Sequence, residues 1–122
     1  MDEGARSPRV VYHGDIPGDF YEGRWPNRLT ISAATGPEGL TLRGIDSIDW
    51  PDRDMYWTTV VAPESLSRLY EALVTAADAN DIQLVDLVAA RLQDRTVPVG
   101  GVNGWLDGHG IAHTHTTRFY DN

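Results

Sequence analysis

Arg28-Leu-Thr-Ile-Ser-Ala-Ala-Thr-Gly-Pro-Glu-Gly-Leu-Thr-Leu-Arg43 is the stretch that decides the fold. Leu29, Ile31 and Ala33 alternate with Arg28, Thr30 and Ser32, and a period of two with one apolar face is the mark of a half-buried strand. Residues 35–39, Thr-Gly-Pro-Glu-Gly, carry turn chemistry. The alternation resumes over 40–43, so the two runs read as a β-hairpin.

Working outward, residues 9–13 (Arg-Val-Val-Tyr-His) form a short β-branched and aromatic run, an expected first strand. Residues 14–27 hold Gly14, Pro17, Gly18, Gly23 and Pro26 and read as a long loop, with Phe20, Tyr21 and Trp25 pinning part of it to the core. Residues 55–61, rich in aromatic, Thr and Val side chains, give a fourth strand.

Pro63 and Glu64 then signal a helix start, the proline near the first helical position and the glutamate at the positive end of the dipole. Leu66, Leu69, Tyr70, Leu73, Val74 and Ala77 follow with helical spacing. Asn80-Asp81 breaks this run, and Asp81 is the expected cap of a second helix through about Gln93. That helix is apolar over so much of its circumference that it should be the more deeply buried of the two. Residues 104–107 suit a short helical turn stopped at Gly108 or Gly110 by a left-handed cap. Residues 111–120 close the chain as a last strand, with His113, His115, Thr117 and Phe119 on one face.

Strands grouped and helices grouped predict an α+β fold: a mainly antiparallel sheet of about five strands packed against two to three helices, with a C-terminal strand. The expected organisation is a flexible tail over residues 1–8 and one domain over 9–122. At 122 residues, the chain can remove roughly two-thirds of its unfolded surface from water. Its 41% hydrophobic and 23% charged composition is that of a globular protein rather than a disordered one.

A net charge of -8 argues against nucleic acid as a partner, because phosphate binding requires a basic stripe. An acidic surface favours solubility and attraction to basic proteins. All ten basic residues are arginine and 13 of the 18 acids are aspartate, a bias expected of a GC-rich, bacterial coding sequence. Without lysine there is no Schiff-base amine and no P-loop. Without cysteine there is no disulfide, thiol nucleophile or Cys-ligated metal. The N-terminal residues lack the apolar run of a signal peptide, and no segment approaches the ~20 apolar residues of a membrane span. The expected location is the cytoplasm.

Two clusters carry chemistry. His109, His113 and His115 lie close together, and on a strand His113 and His115 point the same way, so a shared metal, in a small metal-binding enzyme or metal-binding protein, is the alternative reading, with Asp107 or His109 as a further ligand. Their spacing matches no zinc motif. The second cluster, residues 44–57, places Asp46, Asp49, Asp52 and Asp54 beside Trp50, Tyr56 and Trp57. It lacks the alternate acids, central glycine and terminal glutamate of a calcium loop. Carboxylates spaced for glycoside hydrolysis would need a cleft that so small a domain rarely builds. No serine sits in a Gly-x-Ser-x-Gly elbow, and glycines 100–110 lack the strand–glycine–helix context of a phosphate loop. Aromatic rings give contact area at low entropy cost, and an acidic rim steers a cationic partner toward them. The cluster therefore reads as a partner-binding surface: Asp46, Asp49, Asp52 and Asp54 for the field, Trp50 as anchor, Tyr56 or Trp57 joining the interface, and Arg53 bracing the loop.

Gly39-Leu-Thr-Leu-Arg-Gly-Ile-Asp46 followed by Asp54-Met-Tyr-Trp-Thr-Thr-Val60 resembles a layout found in small bacterial proteins: a strand ending in Gly-x-Asp, an acidic loop, then an aromatic strand leading into a Leu-rich helix. Gly104-Trp-Leu-Asp-Gly-His-Gly-Ile111 is similar to their closing turn. Over about residues 28–120 the chain resembles the small acidic immunity proteins of bacterial toxin systems, with Met55-Tyr-Trp57 standing where a more acidic aromatic run would fit. The resemblance implies a non-catalytic inhibitor that binds a basic toxin domain; together with the charge and the lack of an apolar span, the expectation is a protein partner, no nucleic acid, no membrane and no cofactor. A structural or assembly subunit is the remaining alternative.

Overall fold

A computed structural model of the chain describes residues 8–20, 26–48 and 53–121. The elements run β1 (Arg9–Phe20), β2 (Pro26–Gly36), β3 (Gly39–Ile48), β4 (Arg53–Val61), a 3₁₀ turn (Pro63–Ser65), α1 (Leu66–Leu73), α2 (Leu84–Gln93), α3 (Val102–Gly108) and β5 (His113–Asp121). The five strands form one antiparallel sheet in the order β1-β2-β3-β4-β5. The architecture is α+β, with the C-terminal strand returning to the sheet edge beside β4.

The hairpin over residues 28–43 is present and longer than its alternation indicates, pairing Arg28 with Ser47 through Gly36 with Gly39. Pro37 holds its φ near −65° and cannot enter a primed turn. The positive φ falls instead on Gly39, at 108°. A Cβ there would lie 2.0 Å from the Val61 carbonyl oxygen, so this position requires glycine.

The pleat sorts the strands cleanly. Leu29, Ile31, Ala33, Leu40, Leu42 and Val61 face the helices and are buried. Leu69 and Leu73 of α1, Leu87, Val88 and Leu92 of α2, and Val102 and Leu106 of α3 close over them. As expected, α2 buries more of its circumference than α1. On β1, Val10 pairs with Ser32 and Tyr12 with Ile31, leaving Val11 as the extra residue of a bulge. Val11 is buried in the core. Arg43, Ile45, Tyr56, Thr116 and Arg118 line the opposite face, which is exposed.

Three expectations need correction. The long loop expected from Gly14 is strand as far as Phe20, and β2 begins at Pro26. β1 is a sheet edge, where Pro17 need not donate to a ladder, and the register shifts between Asp15 and Phe20. The roles expected of Tyr21 and Trp25 lie outside the described residues.

The first helix stops at Leu73 rather than Ala77, with Val74 extended. Asp78 diverts the backbone by accepting hydrogen bonds from the Thr75 N–H at 2.7 Å and the Thr75 hydroxyl at 3.0 Å. Side chains of this type compete with helical hydrogen bonding. Asp78 is itself held by Arg91 Nη2 at 2.6 Å.

The second helix begins at Leu84 with Gln83, not Asp81, at its cap position. Tyr70 explains the delay, since its hydroxyl donates to the Ile82 carbonyl at 3.0 Å and fixes the incoming chain. By contrast, α3 ends as expected, at Gly108 with Gly110 at φ 65°.

Candidate functional site

The acidic stretch does not form one surface. Asp46 and Trp57 follow the core-facing set Leu40, Leu42, Gly44 and Thr59, and are only 7% and 8% exposed. Asp54 and Tyr56 occupy the alternate positions and face the open side. Successive residues of a strand point to opposite faces, so neighbours in sequence are separated by the thickness of the sheet. The expectation that Asp46 and Trp57 join an exposed interface is corrected accordingly, whereas Tyr56 is the exposed member of its pair. Asp49, Trp50 and Asp52 lie outside the described residues, between β3 and β4.

What Asp46 and Trp57 do share is a cavity of about 370 Å³, also lined by Leu29, Met55, His115 and residues 99–103. The sheet forms its floor. Leu29 and Met55 stand directly opposite Asp46 on the two flanking strands, so an acidic side chain sits in an apolar row. Gly44 pairs with Trp57, and a Cβ at Gly44 would lie 2.0 Å from Trp57 Cε2. The indole therefore lies across Gly44, in the manner of an aromatic ring covering a strand glycine. Asp46 is two residues further along the same face, at a diagonal position that long side chains span. The segment 99–103, leading into α3, supplies the roof.

His115 closes the β5 side. Its Nδ1 shares a hydrogen bond of 2.6 Å with Thr59 Oγ1, which satisfies a buried hydroxyl. Its ring stands 5.9 Å from the Trp57 ring, tilted by 32°.

The histidines divide rather than converge. His113 Nδ1–H donates to the Ile111 carbonyl at 2.7 Å, while Nε2 meets Asn103 Oδ1 at 2.5 Å. Asp107 Oδ1 lies 3.5 Å from the same nitrogen. Nε2 of His113 thus ties β5 to α3, while Nδ1 is held by the turn that leads into β5. His109 stacks on Trp105 with ring centroids 4.0 Å apart, and its Nδ1–H donates to the Trp105 carbonyl at 2.9 Å. Among the described residues, no group of three His, Cys, Asp or Glu side chains is placed to hold a metal ion. The shared-metal alternative loses its geometry because each imidazole serves a different structural contact.

Sequence reasoning missed the cavity and, with it, Asn103, Met55 and residues 99–102. One signal was present. The core-facing alternation Leu40, Leu42, Gly44 runs directly into Asp46 and marks that carboxylate as inward.

A second feature is apolar exposure near the β3–β4 end of the sheet. Ile45 and Tyr56 are paired across β3 and β4 and are each 39% exposed. Phe119 pairs with Met55 on the other face and is 57% exposed. Among the described residues, no helix is long and apolar enough to cross a membrane. No protein-family model, curated protein or solved structure matches this chain.

Proposed function

We propose that this chain is a non-catalytic protein-binding domain, an immunity-type inhibitor that neutralises a basic bacterial toxin domain in the cytoplasm. The observation that carries the reading is the exposed apolar side chains on both faces of the sheet near one end, Ile45 and Tyr56 on one and Phe119 on the other. Exposed aromatics at a sheet end suit the few anchoring contacts that dominate protein interfaces. The net charge of -8 would accelerate encounter with a basic partner through long-range attraction. Asp54 lies on the same face as Tyr56, and Asp49, Trp50 and Asp52 belong to the connection between the same two strands. The contact surface is thus Tyr56, Ile45 and Asp54 with that connection, and Phe119 offers a separate anchor on the other face. Asp46 and Trp57 act from inside the fold.

The test is co-expression with the product of the adjacent reading frame, followed by size exclusion and a viability assay. A stable complex that suppresses the neighbour's toxicity is expected, and Tyr56→Asp should abolish it while circular dichroism stays unchanged. A non-toxic neighbour that forms no complex, or a complex indifferent to both Tyr56→Asp and Phe119→Asp, would refute the reading.

A further inference from the structure

The two edges of the sheet are built differently. β1 is guarded in the ways that natural edge strands are: Val11 forms a bulge, Pro17 lies within the strand, and the register shifts again between Asp15 and Phe20. β5 has none of these devices. Its nine residues, His113–Asp121, contain neither proline nor glycine and pair with β4 in unbroken register, from Val61 with His113 to Arg53 with Asp121. Among the described residues, no element lies beyond β5 in the sheet, and every residue from Thr114 to Phe119 is exposed. The helices therefore leave this strand open on both faces. An edge strand of this length and regularity presents a row of backbone donors and acceptors to a further strand.

The charge of the strand selects what pairs with it. In a chain of net charge -8, residues 108–120 carry no aspartate or glutamate, and Arg118 is their one residue of fixed charge. This edge is poorly suited to a basic partner, and a second copy meets no acidic repulsion there. Antiparallel pairing of β5 with itself about a two-fold axis at Thr117 sets Phe119 opposite His115 of the other copy, an aromatic pair on the helix side of the sheet. It sets Arg118 opposite Thr116 on the open face. An axis at Arg118 would oppose two guanidinium groups. An axis at Thr116 would press Phe119 against His113, whose ring is already held by Ile111 and Asn103.

We propose that β5 pairs antiparallel with β5 of a second copy, joining two five-stranded sheets into one continuous sheet about a two-fold axis at Thr117. Such a contact is isologous, the same strand serving both copies. The dimer is separate from the toxin contact: Ile45, Tyr56 and Asp54 lie on β3 and β4, inside the sheet, and pairing at β5 leaves them open. Phe119 is the residue common to both.

Full-length protein is measured by sedimentation equilibrium over about 1–500 µM, beside Thr117→Lys and Thr117→Glu, each alone and the two mixed in equal amounts. The unsubstituted protein is expected to be a dimer. Each substitution sets like charges opposite each other at the axis and should weaken self-association by about tenfold or more. Circular dichroism should stay unchanged, because Thr117 is exposed. The equimolar mixture should recover the dimer, since lysine then faces glutamate, and that recovery separates a direct contact from a loss of folding. Val10→Lys, on the exposed edge of β1, should leave the dimer intact. A monomeric unsubstituted protein across the range overturns the proposal, as does a dimer that tolerates both Thr117 substitutions. A mixture that stays monomeric, or a dimer lost in Val10→Lys, overturns it equally.

Discussion

Gly44→Ala tests the packing that creates the cavity floor. The new Cβ would lie 2.0 Å from Trp57 Cε2, 2.2 Å from Nε1 and 2.3 Å from Cζ2, whereas ordinary contact begins at 3.4 Å. The indole must therefore retreat by about 1.4 Å from the sheet. It retreats into the cavity that it lines, giving up its contact with the sheet and shifting against the His115 ring 5.9 Å away. Overpacking of this kind costs about 1–3 kcal/mol. Replacing a strand glycine by alanine returns roughly 0.5–1 kcal/mol through the unfolded chain. The net expectation is a loss of about 1–2 kcal/mol, or a fall in Tm of about 4–8 °C for a domain of this size. Urea denaturation followed by circular dichroism measures it, with the slope of the transition checked for constancy. The cause is isolated by repeating the change in a Trp57→Leu background, where alanine at position 44 should be neutral or stabilising. The two substitutions would then couple by about 1–2 kcal/mol. An equal cost in both backgrounds, or a Gly44→Ala protein as stable as the parent, would refute the proposed stacking of indole on glycine.

Asp78→Ala should cost about 3 kcal/mol, because it strips a carboxylate from the largely buried Arg91 guanidinium and frees the turn that ends α1; a loss under about 0.5 kcal/mol in urea denaturation would contradict this. Asp94 gives a pH dependence: the Thr96 hydroxyl and N–H, and then Arg91, hold its carboxyl below the ordinary value of 3.8. A depressed folded value means that its stabilisation is present above 3.8 and is lost as pH falls through the folded value. Asp94→Asn should accordingly flatten the decline of Tm in that acid range, and an unchanged profile would count against the Thr96 contacts. Zinc in excess should leave Tm unchanged near neutral pH, because His109, His113 and His115 serve separate contacts; a concentration-dependent rise would show that they can be recruited to a site.

Local pattern carried most of the architecture. Alternation over residues 28–43 marked the hairpin, aromatic and β-branched residues marked β4, and apolar spacing marked α1 and α2, because these features depend on a few neighbouring residues. The element ends were less legible, since distant groups set them. α1 stops where Asp78 turns back to Thr75 and meets Arg91 from the next helix, and α2 is delayed by a hydroxyl twelve residues earlier in the chain. β1 persists past Gly14 because an edge strand tolerates the proline that a central strand would not.

The candidate site divides in the same way. Sequence alone determined that residues 44–57 carry an unusual density of acids and aromatics, and that Tyr56 and Trp57 point to opposite faces. It also placed His113, His115 and Phe119 on one face of the last strand. Only the tertiary structure decided which face the helices cover. That choice put Asp46 and Trp57 inside and Asp54 and Tyr56 outside, and it brought residues 99–103 over a carboxylate more than fifty positions away. The pleat is a property of the local chain. A face becomes an interior only when another segment packs on it, and that contact is not encoded within any one strand.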